Sequence, residues 1–373
     1  MYSGDNIDDK ENRMTENVRH KKIEKRNLHV IFLLILIFFS LNLIIGNSSS
    51  ASSPPDAYLI EGVPMHQQIT GVMCGPGALE MIFDFWGADL NQKAIADVAR
   101  TSKDGTYTWD MVRTGHFSYL STAMGTYFPN QVRETGFPKR PTGYASFNYS
   151  NDTIWWPELK ALIASNIPVV LLMKWAPDDS TGHYRVIVGY DETKEVVYFM
   201  DPWGRSLKHI TNPDGTVTWN MTDFVDAWNY SEYGTPHPYW GAIMIPWSVN
   251  LSTNGITSAG SKLNVTANIT YPCPHPFDCT AYPASDSNAA IMLPSGMHLQ
   301  NGQSQVTIGE LQAGESVNVM WNVQLDANGA GSWIKVNGSG FVSGAVPEFK
   351  VKKVVYLAYN YKDNIGGEGR IKI

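Results

Sequence analysis

A cysteine, a histidine and an aspartate far apart in this chain each sit in a short segment suited to one piece of reaction chemistry. The segments read Gln68-x5-Cys74-Gly75-Pro76, Gly182-His183-Tyr184 and Asp201-Pro202-Trp203-Gly204. A thiol that attacks carbonyl carbon needs a base for its proton, a group that orients the base, and donors for the oxyanion it creates. Cys74, His183, Asp201 and Gln68 supply one of each. His66, His116, His209 and His237 compete with His183, but none of them combines a glycine before it with an apolar strand after it, as His183 does with Gly182 and Val186–Tyr190. Gln67 adjoins Gln68, and only the six-residue spacing to Cys74 favours Gln68. A lone cysteine before an apolar helix is commonly a small core residue. Four coincident signals outweigh that reading. Because an amide oxygen can accept from an imidazole N–H, Asp201→Asn is expected to be the mildest substitution among them.

The elements around these segments follow from hydrophobic period. After Cys74, residues Leu79, Ile82, Phe83 and Trp86 keep the i, i+3, i+4, i+7 spacing of a buried helix face. Pro76 suits the first turn and Gly87 the end. Helical patterns recur at Gln92–Thr101, Trp109–Met124 and Pro157–Ser165. The period then changes to short β-rich runs at Pro168–Trp175, His183–Tyr190, Val196–Met200 and Trp240–Ile245. A turn at Asp191–Lys194 joins two of these strands, which brings His183 and Asp201 near each other. Helices first and an antiparallel sheet after them make an α+β domain over residues 62–247. Beyond it, 248–373 is rich in Ser, Thr, Asn and Gly and alternates in the strand manner, which predicts a β-sandwich of immunoglobulin-like type with Trp321 in its core.

The Gln–Cys spacing, the Cys-Gly-Pro turn and the order Cys, His, Asp resemble the papain-like cysteine peptidases. Within them they are similar to the double-glycine leader peptidases, the C-thirty-nine-like branch. The resemblance implies a papain-like fold, nucleophile Cys74, base His183, orienting residue Asp201 and oxyanion donor Gln68, with a peptide or cell-envelope protein as substrate. Two positions depart from the family pattern. Gly77 replaces a better helix former. Arg185 stands where an apolar residue is usual, and either recognises a substrate carboxylate or reaches solvent. Two other functions stay open: a catalytically silent peptide-binding or adhesion protein, and a transglutaminase-like or cell-wall amide hydrolase or transferase.

Composition sets the surroundings of this chemistry. The 373 residues carry a net charge of −7, which offers no basic footprint for nucleic acid. Residues 28–46 are apolar except for His29, Ser40 and Asn42, follow a basic flank in the 1–27 tail, and precede a stretch with no Lys or Arg until Lys93. They read as a transmembrane anchor or signal segment with the N-terminus cytoplasmic and everything after it outside the cell. Residues 47–61 read as a Ser/Pro-rich linker. Every Asn-x-Ser/Thr sequon lies beyond the apolar segment, as at Asn47, Asn148 and Asn268. Cys273 and Cys279 close a short loop and suit a disulfide, with a metal site that adds His275 as the rival; Cys74 is then free. No cofactor and no metal is expected for the reaction, and no ligand can be assigned to the sandwich. Protease treatment of intact cells should remove everything beyond residue 46; complete protection of that region would exclude this topology.

Overall fold

A computed structural model of the chain describes residues 53–121, 124–127, 131–134, 140–204, 210–232, 235–255, 258–326, 331–346, 349–351, 354–356 and 359–373. Two compact units divide the chain between Ser53 and Pro54. The tail, the apolar segment 28–46 and His209 lie outside the described residues. Among the described residues no helix is long and apolar enough to cross a membrane.

The second unit has five helices among its described residues: α1 Cys74–Phe85, α2 Gln92–Val98, α3 Thr108–His116, α4 Trp156–Ala164 and α5 Met221–Trp228. Its first strands are β1 Ala57–Leu59, β2 Met124–Tyr127, β3 Gln131–Glu134, β4 Ala145–Tyr149, β5 Val169–Lys174, β6 Gly182–Asp191, β7 Val196–Met200, β8 Ile210–Thr211, β9 Val217–Asn220 and β10 Gly241–Ile245. Of these, β2 and β3 pair in a separate sheet with two later strands, and the rest form a sheet in the order β4-β10-β5-β6-β7-β9-β8, with β1 on the far end of β6. Each pairing in it is antiparallel. The β1 pairing corrects the linker reading: Ala57 to Leu59 face Asp191 to Gly189, and Ile60 N–H donates to Val188 O, so this end of the stretch belongs to the folded body.

Helix α1 buries the face its spacing predicts. Leu79, Ile82 and Phe83 are fully enclosed, each worth about 1.5–3 kcal/mol of apolar burial. Gly87 takes φ +89° where the helix stops, a conformation that glycine adopts without strain. Strand β5 is buried at Val169–Met173 and β10 along its whole length, so both read as unbroken apolar runs. Helix α3 is shorter than its pattern predicts, ending at His116 with Phe117 already extended.

The remaining strands are β11 Ser248–Gly255, β12 Lys262–Thr270, β13 Ala284–Met292, β14 Met297–Leu299, β15 Gln305–Leu311, β16 Ser316–Leu325, β17 Trp333–Val346, β18 Phe349–Val351, β19 Val354–Tyr356 and β20 Tyr359–Lys372. Two four-stranded sheets, β11-β12-β16-β14 and β15-β13-β17-β20, meet through Ile269 and Val249 at the bare Gly338. Trp321 is 4% exposed and belongs to the core. Cys273 and Cys279 form a disulfide, so neither thiolate remains for a metal, and Cys74 is free.

The sandwich and the helical part share one core. Strand β20 pairs with β17 along its whole length and with its other edge meets the segment before β4: Gly143 N–H donates to Asn364 O at 2.7 Å, and Gly366 N–H donates to Gly143 O at 3.1 Å. The buried Tyr361 ring lies 6.1 Å from both His116 and Phe117. On the disulfide loop, Phe277 packs on Phe147 and Trp155. The boundary anticipated at residues 247 and 248 therefore falls inside a continuous interior. Tyr361→Ala should cost the full chain about 3 kcal/mol, the low end for a buried aromatic, and unfold both parts in a single urea transition. Two separate transitions would mean that the parts fold independently.

Candidate active site

Cys74 is the first residue of α1, where backbone amides have no intrahelical acceptor. His183 stands near the start of β6, and Asp201 follows the last residue of β7. The β6–β7 ladder sets Val186 opposite Met200, so residues 183 to 185 pass beside residue 201. His183 Nε2 lies 2.7 Å from Asp201 Oδ1 and donates to it, leaving Nδ1 for the hydrogen bond with the Cys74 thiol. Both His183 and Asp201 are buried, while Cys74 is half-buried.

Electrostatics at these groups favour an ion pair. Burial pushes the Cys74 thiol up, but the hydrogen bond and charge of His183, with backbone N–H groups of Tyr184 and Gly75, outweigh it and leave the thiol below its ordinary value. Burial pushes His183 down, Asp201 pushes it up, Arg185 opposes that rise, and the balance stands above the usual imidazole value. Asp201 is held well below the carboxylate range despite its burial, by Arg185 and His183 together with the Trp203 N–H. Thiolate and imidazolium are each favoured by the other.

Glycines explain how these segments come so close. A Cβ at Gly77 would stand 2.9 Å from the Pro202 Cβ, so the first turn of α1 touches the turn that carries Asp201. The departure at Gly77 is therefore a packing requirement and not merely a weak helix position. Gly75 is tightly enclosed as well, since a Cβ there would meet Thr106 at 2.9 Å and Met111 at 3.0 Å. At Gly182 a Cβ would meet Tyr230 at 2.9 Å and Glu232 at 3.1 Å; burial raises that Glu232 carboxyl to about 7.

Gln68 reaches the same corner. Its backbone N–H donates to Pro202 O at 2.6 Å, and its Nε2 donates to Thr70 O at 2.7 Å. An amide nitrogen has two N–H groups, so one remains beyond the Thr70 bond. Gln67, in contrast, is exposed and lies over Gly204. The other described histidines are engaged elsewhere. His66 pairs with Asp84 at 2.7 Å, His237 with Asp152 at 2.9 Å, and the buried His116 bonds Ser146 O at 3.0 Å, with burial holding it down to about 3.

Two residues of this corner take roles that the sequence reading did not give them. Gln92 is 2% exposed; its Oε1 accepts from Ile69 N–H at 2.8 Å and its Nε2 donates to Glu80 at 2.7 Å, which pins the Gln67–Ile69 loop to α1. Only an Asn-Gln pair opening a helix marked it, and that reads as ordinary capping. Arg185 is the other. It reaches neither solvent nor an open cleft, because Nε donates to Asp201 Oδ2 at 2.8 Å and the side chain is 2% exposed. Asp201 thus has only donors around it: His183 and Trp203 N–H on Oδ1, Arg185 on Oδ2. An asparagine there turns its NH2 toward a donor in either orientation, which removes the reason for expecting Asp201→Asn to be mild.

Residues 60–235 match the model of the Peptidase_C39 like family. No curated protein sequence matches the chain significantly. Among solved structures, a double glycine motif protease from an AMS/PCAT transporter in complex with its leader peptide is 14% identical, with 50% of this chain and 96% of that one covered and a TM-score of 0.28. The peptidase domain of Streptococcus ComA, a bi-functional ABC transporter of a quorum-sensing pathway, is 15% identical over 50% of this chain and 99% of its own, with a TM-score of 0.30.

Gly77→Ala tests the packing at the site. In an exposed helix this change gains about 1 kcal/mol. Here the full chain should instead melt at lower temperature, because Cβ meets Pro202; a raised melting temperature would show that the turn has room to move.

Proposed function

With residues 60–235 matching the Peptidase_C39 like family, we propose that this chain is a cysteine peptidase that cleaves amide bonds through a Cys74 thioester. The observation that carries the reading is the continuous hydrogen-bonded run from the thiol at the head of α1 through His183 to Asp201. The Cys74 thiolate adds to the scissile carbonyl carbon. The oxyanion meets the Cys74 backbone N–H and the free Gln68 amide N–H, and the imidazolium gives its proton to the departing amine. Water then adds to the thioester, losing its proton to His183, and the carboxylic acid leaves as the thiol is restored. Trp203, 38% exposed beside Asp201 and 6.3 Å edge-on from Trp175, offers an aromatic wall for a peptide. The substrate class is a peptide or cell-envelope protein, and the working location is outside the cytoplasm, the second following from the charge asymmetry around 28–46.

The pH behaviour has a definite sign. A thiol lowered below its ordinary value and an imidazole raised above its own both favour the thiolate–imidazolium pair over the neutral pair. Alkylation of Cys74 should therefore persist to lower pH than that of an ordinary cysteine, and His183→Ala should slow it at least about tenfold at about pH 6. On a cleaved peptide, Cys74→Ala and His183→Ala should each abolish turnover, with the double variant hardly worse. Gln68→Ala should lower kcat by about 10²–10³ with KM little changed. Asp201→Asn should lose at least as much as Asp201→Ala. Wild-type turnover in Cys74→Ala would replace the hydrolase with a peptide-binding module.

A further inference from the structure

Arg185 is fixed at every nitrogen. Besides the Nε bond to Asp201, its Nη1 donates to Lys174 O at 3.0 Å and its Nη2 to Trp175 O at 2.7 Å, while its guanidinium carbon stands 4.6 Å from the centre of the Trp219 ring. A planar fork tied at three points and stacked on a fourth cannot swing out to a substrate. Resting on the hydrolase reading above, we propose that Arg185 is a positioning residue, holding Asp201 by one carboxylate oxygen so that the other meets the His183 imidazole. Without it Oδ2 is buried with no donor, and the carboxylate is free to turn about its Cβ–Cγ bond and release the ring.

Arg185 also sets how long the imidazolium lasts as pH rises. The groups that act on His183 are Cys74 from α1, Asp201 beyond β7 and Arg185 on its own strand; Tyr184 lies beside it, and Tyr230 and Glu232 stand across Gly182 and act on Tyr184. The positive charge of Arg185 opposes the imidazolium more than the Asp201 hydrogen bond supports it. Removing the charge, with the Asp201 carboxylate still beside the ring, therefore lets His183 stay protonated to higher pH.

The test is the iodoacetamide reaction of Cys74, the free thiol, followed against pH in the full chain, alongside kcat on a cleaved peptide. Arg185→Met should move the upper ionisation up by about one pH unit and lower kcat by about 10- to 100-fold with KM unchanged. Arg185→Lys keeps the charge but loses the fork, so the upper ionisation should stay near that of the wild type while kcat falls about tenfold. In an Asp201→Ala background, where there is no carboxylate to hold, Arg185→Met should cost less than about threefold. That double variant leaves no unpaired buried charge, so it and Arg185→Lys carry the comparison where Arg185→Met alone does not fold. Unchanged ionisations and kcat in Arg185→Met, or an equal loss with and without Asp201, would overturn the positioning role while leaving the peptidase reading intact. A shifted ionisation in a chain that cleaves no peptide would uphold the positioning role and remove the peptidase.

Discussion

A carboxylate that is 1% exposed must be surrounded by donors, and the architecture around residue 201 answers that requirement. Asp201 receives an imidazole N–H, a backbone N–H and a guanidinium N–H. Each comes from an element that then has little freedom. The imidazole fixes the start of β6, and the backbone N–H fixes the Asp-Pro-Trp-Gly turn. The guanidinium, through its bonds to Lys174 and Trp175, ties the end of β5 to the same point. Helix α1 reaches this cluster only because Gly77 lets it touch Pro202. Satisfying one buried charge thus draws three strands and one helix into the register that chemistry needs.

Much of this corner is legible in the sequence, because local chemistry there is strong. Leu79, Ile82 and Phe83 announce one face of α1, and Val196–Met200 announces its strand to the residue. The β6–β7 hairpin is short, so residue order alone brings His183 toward Asp201. The roles of Gln92 and Arg185 are not legible. Each works through partners remote in sequence: Gln92 reaches Ile69 and Glu80, and Arg185 reaches Asp201 and Trp175. A polar residue looks solvent-facing until the fold encloses it. Gly77 misleads in the same way, since helix propensity describes an isolated helix while its neighbour Pro202 lies far along the chain.

Strand β20 was hidden for another reason. Its sequence, Tyr-Asn-Tyr-Lys-Asp-Asn-Ile-Gly-Gly-Glu-Gly-Arg-Ile-Lys, lacks the β-branched alternation of an ordinary strand. Its glycines are there because other backbone passes at contact distance: Gly338 beside Gly366, and Trp247 beside Gly367. Its Asn364 serves a carbonyl of the other part, donating to Pro141 O at 3.1 Å. Propensity scores such residues as loop, whereas in this fold they are what lets the two parts close on each other.

That closure has a consequence for the order in which the molecule is made. The nucleophile is synthesised early, but the wall behind α3 is completed by Tyr361 and Ile365, which follow it only after the whole helical part and most of the sandwich. A nascent chain long enough to hold Cys74, His183 and Asp201 still lacks that wall. Completion of the interior thus waits on synthesis of the sandwich, and a message truncated within the sandwich yields a thiol-bearing fragment with an open core.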